Sequence, residues 1–429
     1  MKSFSAFLII LIVINISLLF VNCDSPTTKR NSTWTDTLKR DLLVDYDKFV
    51  RPVDHGSTTK VHIFLTVKHV DVDEQKGIMS VFGWIKMQWQ DDKLIWNATE
   101  YGNLNSIHLA DHEIWQPDIT LYNSALGNTI DHYANTLTIV SNSGTVMWVP
   151  PFQFQVFCEF DLRLWPFDTQ TCEIWLGSWV YNGLEIDLEI SDYGTEIDMF
   201  IPNHEWKIKN ITASRNSTYY DCCAEPYVSN TYTITVMRQS PIYKTMVVTP
   251  ATCVILMTLA AFWLPPQSGE KIVLNGINII MIGVFMMYFG YQLPVMALHT
   301  PLVVLFYSSS LYLVSIAMIV AVIVNYCANS KHNIKVPWAV KNLLDGWLGS
   351  ILGLCHVNYS KGQTSQQRDA ELRDQPFEDN STADDRQMIS NLTKSSIQHD
   401  WLILATAIDR ICFLSYCLVF IILAAMYSV

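Results

Sequence analysis

The stretch "CEFDLRLWPFDTQTC" runs from Cys158 to Cys172. Two cysteines bracket thirteen residues, and "WPFD" (Trp165 to Asp168) lies inside them. An apolar, Pro-kinked turn between two cysteines is built for rigidity, and it lies in the first of two unlike halves, which meet near residue 244. Upstream of it, "TKVHIFLTVKHVDVDE" and "TLTIV" are short runs rich in Val, Ile, Thr and aromatics; downstream, "NTYTITVMR" is another. Turn residues such as Asn142, Ser143, Gly144, Pro150 and Pro151 punctuate them, which reads as a β-sandwich. Within this half, Leu38, Leu42, Leu43 and Tyr46 show helical spacing, so a helix is expected over Trp34 to Val50.

Past residue 243 the pattern changes. Three apolar segments come in quick succession: Met246 to Leu264, Ile272 to Leu293 and Leu302 to Val324. Each suffices to cross a bilayer at about 20 residues. A fourth, Trp401 to Val429, ends the sequence, with Asp409 and Arg410 near its start as an interfacial pair. Between the third and fourth lies a polar stretch, whose middle, "KGQTSQQRDAELRDQPFEDNSTADDRQ", reads as disordered. At the N-terminus, Lys2 precedes an apolar run from Phe7 to Val21, and polar sequence starts at Asp24, the mark of a secretory signal peptide. The expected organisation is a signal peptide over 1–23 and an extracellular β domain over 24–243. Three spans come next within 244–327, then a cytoplasmic loop over 328–400 and a fourth span over 401–429. The C-terminus returns outside, and Lys331 and Lys335 fit the cytoplasmic side.

Secretion permits disulfides and makes sequons usable, here at Asn31, Asn97, Asn210 and Asn216. Half of the residues are apolar and the net charge is −12, with the acidic excess before residue 244. An acidic outer domain concentrates cations, whether ligand or ion, and also keeps the domain soluble. Enzyme chemistry finds no support: there is no phosphate-binding Gly-rich loop, nucleophile motif or metal-spaced cluster. His62, His69, His108 and His112 are scattered. No cofactor, metal or nucleic acid is expected.

The cysteine-bracketed "WPFD" turn, with four spans, resembles the Cys-loop ligand-gated ion channels. That family implies a Cys158–Cys172 disulfide, a β-sandwich ectodomain, four transmembrane helices and a pentamer. Within it the sequence is similar to nicotinic acetylcholine receptor subunits. "WQPDITLYN" (Trp115 to Asn123), "LGSWVYNG" (Leu176 to Gly183) and "YDCCAEPY" (Tyr220 to Tyr227) resemble three binding loops of the alpha-type subunits. The resemblance implies an aromatic box of Tyr122, Trp179, Tyr220 and Tyr227, which would hold acetylcholine or a similar quaternary ammonium. Trp84 in "WIKMQWQDDKLIWN", with Ile139, Met147 and Val149, would serve as the complementary face toward a homologous subunit. Trp89, Trp96 and Trp115 are expected in the core. The adjacent Cys222 and Cys223 raise a question of their own. A bridge between them closes too small a ring to contribute much loop entropy, but it stiffens a loop tip; free or separately paired thiols are the alternative. The resemblance implies the bridge, beside the ligand on a principal face.

The second span begins with Gly269, Glu270 and Lys271, similar to the pore helix of cation-selective members, where Glu270 would ring the cytoplasmic mouth. The family register then turns Val273, Ile277, Ile280, Val284 and Tyr291 toward the lumen. Small hydroxyls are usual at the positions of Val273 and Ile277, and an acid at that of Tyr291. An aliphatic wall dewets readily. Asn275 and Asn278 fall on the opposite side at about 100° per residue, and polarity alone would turn that side to water. Gly276, Gly283 and Gly290 make a stripe suited to close helix packing. A second departure is Arg238, one position earlier than the arginine usual before the first span; on a strand this points it to the other face. Two readings are open: a subunit that binds agonist and gates permeant cations at the postsynaptic plasma membrane, or an accessory subunit that assembles without forming a conducting homomer.

Overall fold

A computed structural model describes residues 32–126, 133–239, 241–294, 299–330, 332, 334–354 and 382–427. The proposed signal peptide, Asn31 and most of the polar stretch lie outside the described residues. The first sheet is built on a long hairpin, β1 (Thr59–Asp73) with β2 (Ile78–Ile95). Its other strands are β3 (Ser106–Ala110), β5 (Leu137–Ser141), β6 (Ser143–Trp148), β7 (Pro151–Phe157) and β9 (Ile186–Glu196). Their order is β3-β5-β6-β2-β1-β9, with β7 also paired to β2. The second sheet has the order β10-β11-β8-β4, from β10 (Trp206–Thr218), β11 (Tyr227–Arg238), β8 (Thr169–Ser178) and β4 (Ile119–Leu121).

Strict alternation makes this a sandwich. Val61, Ile63, Leu65 and Val67 on β1, and Met79, Val81, Ile85, Met87 and Trp89 on β2, point inward and are buried. Ile174 and Leu176 on β8 and Ile234 and Val236 on β11 meet them from the other sheet in one core. Full burial of each such side chain contributes about 1.5–3 kcal/mol. Trp96 and Trp115 are buried there as well. Trp84, Lys86 and Gln88 of β2 alternate with the buried residues and lie on the outer face.

The N-terminal helix is shorter than its apolar spacing suggests. α1 covers Trp34–Leu43, opened by a capping box between Thr33 and Asp36. It stops before Val50 because Asp47 accepts a hydrogen bond from the Phe49 amide (2.9 Å), a local turn that competes with helix. Tyr46 then leaves the helical path and donates to Asp91 at 2.6 Å.

After the sandwich come α2 (Pro241–Ala261), α3 (Glu270–Gln292) and α4 (Leu302–Asn329). Two short helices come next, α5 (Trp338–Asp345) and α6 (Trp347–Ile351), and then α7 (Thr382–Tyr427). In all, 4 helices are long and apolar enough to cross a membrane, among the described residues. Two sequence expectations need correction here. The final helix begins at Thr382, not Trp401, and so takes in the end of the stretch read as disordered. Hydropathy marks the part of a helix that meets lipid; backbone hydrogen bonds continue past it. The fourth apolar portion is accordingly Lys394–Tyr427. Asp409 and Arg410 do not form an interfacial pair either. Asp409 is buried and pairs with the buried Lys271 of α3, while Arg410 lies over the Trp263 ring at 3.8 Å. A charge inside a bundle is tolerated when it finds an opposite charge there.

Candidate functional site

The four aromatic residues expected to form a box are assembled at one end of the second sheet. Tyr122 directly follows β4, and its amide donates to the Trp175 carbonyl (2.8 Å) across the β4–β8 pair. Its hydroxyl donates to the Ser178 carbonyl at 2.5 Å. Tyr122 and Trp179 stand edge to face at 6.1 Å. Tyr220 and Tyr227 do the same at 5.7 Å across the tip of the β10–β11 hairpin. Burial, then the neighbouring Tyr220, Asp118 and Tyr227, push the Tyr122 phenol up to about 12. It stays neutral and a donor at physiological pH. Cys222 and Cys223 are disulfide-bonded to each other at the hairpin tip, and Cys158 to Cys172.

Two supports of this cluster were not singled out from sequence. Asp118, inside the quoted "WQPDITLYN", accepts from the Ser178 hydroxyl (2.6 Å) and the Val180 amide (2.8 Å), clasping Trp179 from both sides. Gly177 leaves room for Tyr122: a Cβ there would stand 2.3 Å from the tyrosine oxygen. The surface is open. Trp179 is 70% exposed and Tyr220 50%. Among the described residues, both rings are open to solvent.

The complementary residues lie elsewhere, on the solvent face of the first sheet. Trp84 pairs with Thr66 of β1, and Met147 sits opposite Gln88 of β2 and Ile139 of β5. Ile139 and Val149 are exposed. Trp84 is half-buried, and the Lys68 ammonium stands over its ring at 5.1 Å.

Between sandwich and helices, the Cys158–Cys172 loop packs its Trp165 against Tyr243 (5.5 Å) and Phe289 of α3 (6.1 Å). By the alternation of β11, Arg238 lies on the face opposite to that of Met237, the core face with Ile234 and Val236, 3% exposed. Its guanidinium meets Asp168 of the "WPFD" turn (Nε to Oδ1, 2.7 Å), Glu205 (2.9 Å) and Glu74, the residue following β1. Trp206 stacks under it at 4.2 Å. The register of β10 with β11 shifts between Ile208 and Asn210, so the extra residue lies on β10, while β11 keeps its alternation through Ile234, Val236 and Arg238. Burial opposes the Arg238 charge, and the Asp168 and Glu74 carboxylates outweigh it, raising its pKa.

On α3, Lys271, Asn275, Asn278, Ile282 and Phe289 are buried, and Asn278 donates to Thr258 of α2 at 3.2 Å. The asparagine side is therefore packed inside the chain's own helices. Val273, Ile277, Ile280, Val284 and Tyr291 form the exposed side, with Glu270 exposed at the helix start. A Cβ at Gly276, Gly283 or Gly290 would meet nothing within 4 Å, so the stripe is not packed against the described helices of this chain. Of the sequons, Asn97 caps a turn and Asn210 and Asn216 lie on β10, all exposed.

Comparison with known proteins agrees with this architecture. Residues 35–240 match the profile described as neurotransmitter-gated ion-channel ligand binding domain, and 247–388 that of the neurotransmitter-gated ion-channel transmembrane region. The acetylcholine receptor subunit alpha-type acr-16 of Caenorhabditis briggsae is 33% identical over 78% of this chain and 67% of its own length. The corresponding Caenorhabditis elegans subunit is 34% identical over 73% of this chain and 64% of its own length. The neuronal acetylcholine receptor subunit alpha-5 of Rattus norvegicus is 30% identical over 90% of this chain and 87% of its own. The spans and these relatives put the chain in the plasma membrane with its β domain outside the cell. Both domain profiles of one receptor family are thus matched in order, over a sandwich and four apolar helices. The chain belongs to the neurotransmitter-gated ion-channel family, a family of channels rather than enzymes, as a nicotinic-receptor-like subunit.

Proposed function

We propose that the chain is a subunit of an acetylcholine-gated cation channel and supplies the principal face of the agonist site. The observation that carries this reading is the open cluster of Tyr122, Trp179, Tyr220 and Tyr227 beside the Cys222–Cys223 bridge. A quaternary ammonium has no hydrogen to donate. It is held by the negative faces of aromatic rings, each contact contributing about 0.5–2 kcal/mol. A wall this exposed needs a second one. In a homo- or hetero-pentamer the next subunit would bring it, with residues equivalent to Trp84, Ile139, Met147 and Val149. Tyr227 starts the strand that ends at Arg238 on the "WPFD" turn, so a movement of the hairpin tip has a short covalent path to the helices.

In the assembled pore, Glu270 would ring the cytoplasmic mouth and favour cations. The exposed side of α3 would line the lumen, since the asparagine side is already packed. Cysteine at Ile280 should then react with a water-soluble thiol reagent applied to open channels, and cysteine at Asn278 should not. The opposite pattern would sink the register. Asn31, Asn97, Asn210 and Asn216 are proposed glycan sites, and a postsynaptic location is part of the same reading.

The exposed aliphatic side of α3 favours a second reading as well: a subunit that binds and assembles but does not conduct alone. Recording acetylcholine-evoked current from the full chain expressed alone, and with homologous subunits, separates them. Current in the homomer supports the first reading; current only with partners supports the second. Surface assemblies that neither bind acetylcholine nor pass current in any combination would overturn both.

A further inference from the structure

The surface around Trp84 carries charge where a cationic ligand would need none. β1 bulges between Val67 and His69: Val67 pairs with Gly83 and His69 with Phe82, so Lys68 has no partner in the ladder. An extra residue of this kind is re-aimed relative to its neighbours. Its carbonyl is fixed by the Ile201 amide (2.7 Å), and its ammonium stands over the Trp84 ring at 5.1 Å. Among the described residues no carboxylate forms a salt bridge with it. Lys86 comes next on the same solvent face of β2, between Trp84 and Gln88, where Met147 pairs with Gln88. The patch is therefore an aromatic ring already facing a cation, with a second cation set among apolar residues.

We infer that Lys68 is a tethered cation that occupies the Trp84 ring and closes this chain's complementary face to quaternary ammonium ligands. This rests on the aromatic-wall reading of the proposed function. A ring face engaged by one cation offers a second only repulsion, and about 5 Å is well inside the screening length of about 8 Å at physiological salt. Among the described residues, no Lys or Arg stands over the hairpin-tip rings. The two faces of the chain are then unequal: the Tyr122, Trp179, Tyr220 and Tyr227 wall is open, and the Trp84 wall is blocked. A high-affinity site forms where the neighbour is a homologous subunit without a cation over the equivalent ring. Lys68 is a specificity-determining residue, acting by exclusion.

The test uses membranes from cells expressing the full chain alone, with equilibrium binding of acetylcholine and tetramethylammonium. Lys68→Gln and Lys68→Met should each tighten binding about tenfold, the equivalent of one cation–π contact. Lys68→Arg, which keeps the charge, should not. In a Trp84→Ala background, Lys68→Gln should bring no gain, because the ring that the ammonium occupies is gone. Unchanged affinity in Lys68→Gln, or a gain that survives Trp84→Ala, would overturn the inference; so would binding too weak to measure in both wild type and Lys68→Gln. Trp179→Ala, measured in parallel, reports on the principal wall alone. If it leaves binding intact, the function reading has failed, and a Lys68 result that fails beside a Trp179 result that holds rejects only the inference.

Discussion

Trp179→Ala is expected to weaken acetylcholine binding by at least about 30-fold wherever this subunit supplies the principal wall. That size comes from a desolvated cation–π contact of about 2 kcal/mol on the best of the aromatic faces, with about 1.4 kcal/mol per tenfold change. Trp179 is the ring in the cluster that the fold leaves most exposed, yet Asp118 holds its loop through both Ser178 and Val180. An exposed aromatic on a braced loop is arranged for contact with something else. Trp179→Phe should recover part of the loss, because the ring face is kept and only its strength falls. Trp175 is the control. It lies on the same sheet, is 44% exposed, and hydrogen-bonds Glu173 rather than joining the cluster; Trp175→Ala should shift affinity by less than about threefold, since an isolated surface ring contributes little. Equal effects from the two tryptophans, in binding assays on intact membranes, would remove the aromatic wall from the mechanism.

Arg238→Met should be the most damaging single change at the junction, costing about 3–5 kcal/mol by removing one partner of a buried ionic cluster. Asp168 and Arg238 are almost fully buried, and Glu74 nearly so. Without the guanidinium, the Asp168 and Glu74 carboxylates share one low-dielectric site, with the more exposed Glu205 beside them. Burial already pushes the Glu74 carboxyl up, and Arg238 is what opposes this. Surface labelling and the Tm of detergent-extracted protein are the measurements, and both should fall. Arg238→Lys should fall between, because an ammonium cannot serve three carboxylates with a planar fork. Arg238→Met combined with Asp168→Asn should regain part of the loss. Wild-type surface level and Tm in Arg238→Met would show that the cluster is not what holds the "WPFD" turn to β11.

Residue types and their periods were enough for the architecture. Period-2 alternation along Thr59–Asp73 and Ile78–Ile95 has one buried solution, since a slip by one residue would expose Ile63, Leu65 and Met87. The four long apolar segments have only one solvent that suits them. The box residues were legible for a different reason: the motifs around Tyr122, Trp179, Tyr220 and Tyr227 carry them, and aromaticity alone would not have separated Trp179 from the buried Trp89 or Trp115. Helix limits were less legible. Val50 and Trp401 were reasonable ends for apolar patterns, but an Asx turn at Asp47 and continuing backbone hydrogen bonds before Lys394 set the real ones.

What the sequence determined by itself is therefore the class of molecule, a β-sandwich joined to four apolar helices. Those depend on spacing along the chain, which is written in the chain. Tertiary structure alone decided three things. A bulge decided where Lys68 points, because a single inserted residue changes the face and leaves no compositional trace. Packing decided that Asn275 and Asn278 turn inward, because Thr258 of a neighbouring helix offers Asn278 a partner that lipid does not. Folding also joined Lys271 to Asp409, two charges 138 residues apart that each need the other to be buried. Directions and long-range partners are properties of the folded chain, and spacing along the sequence does not carry them.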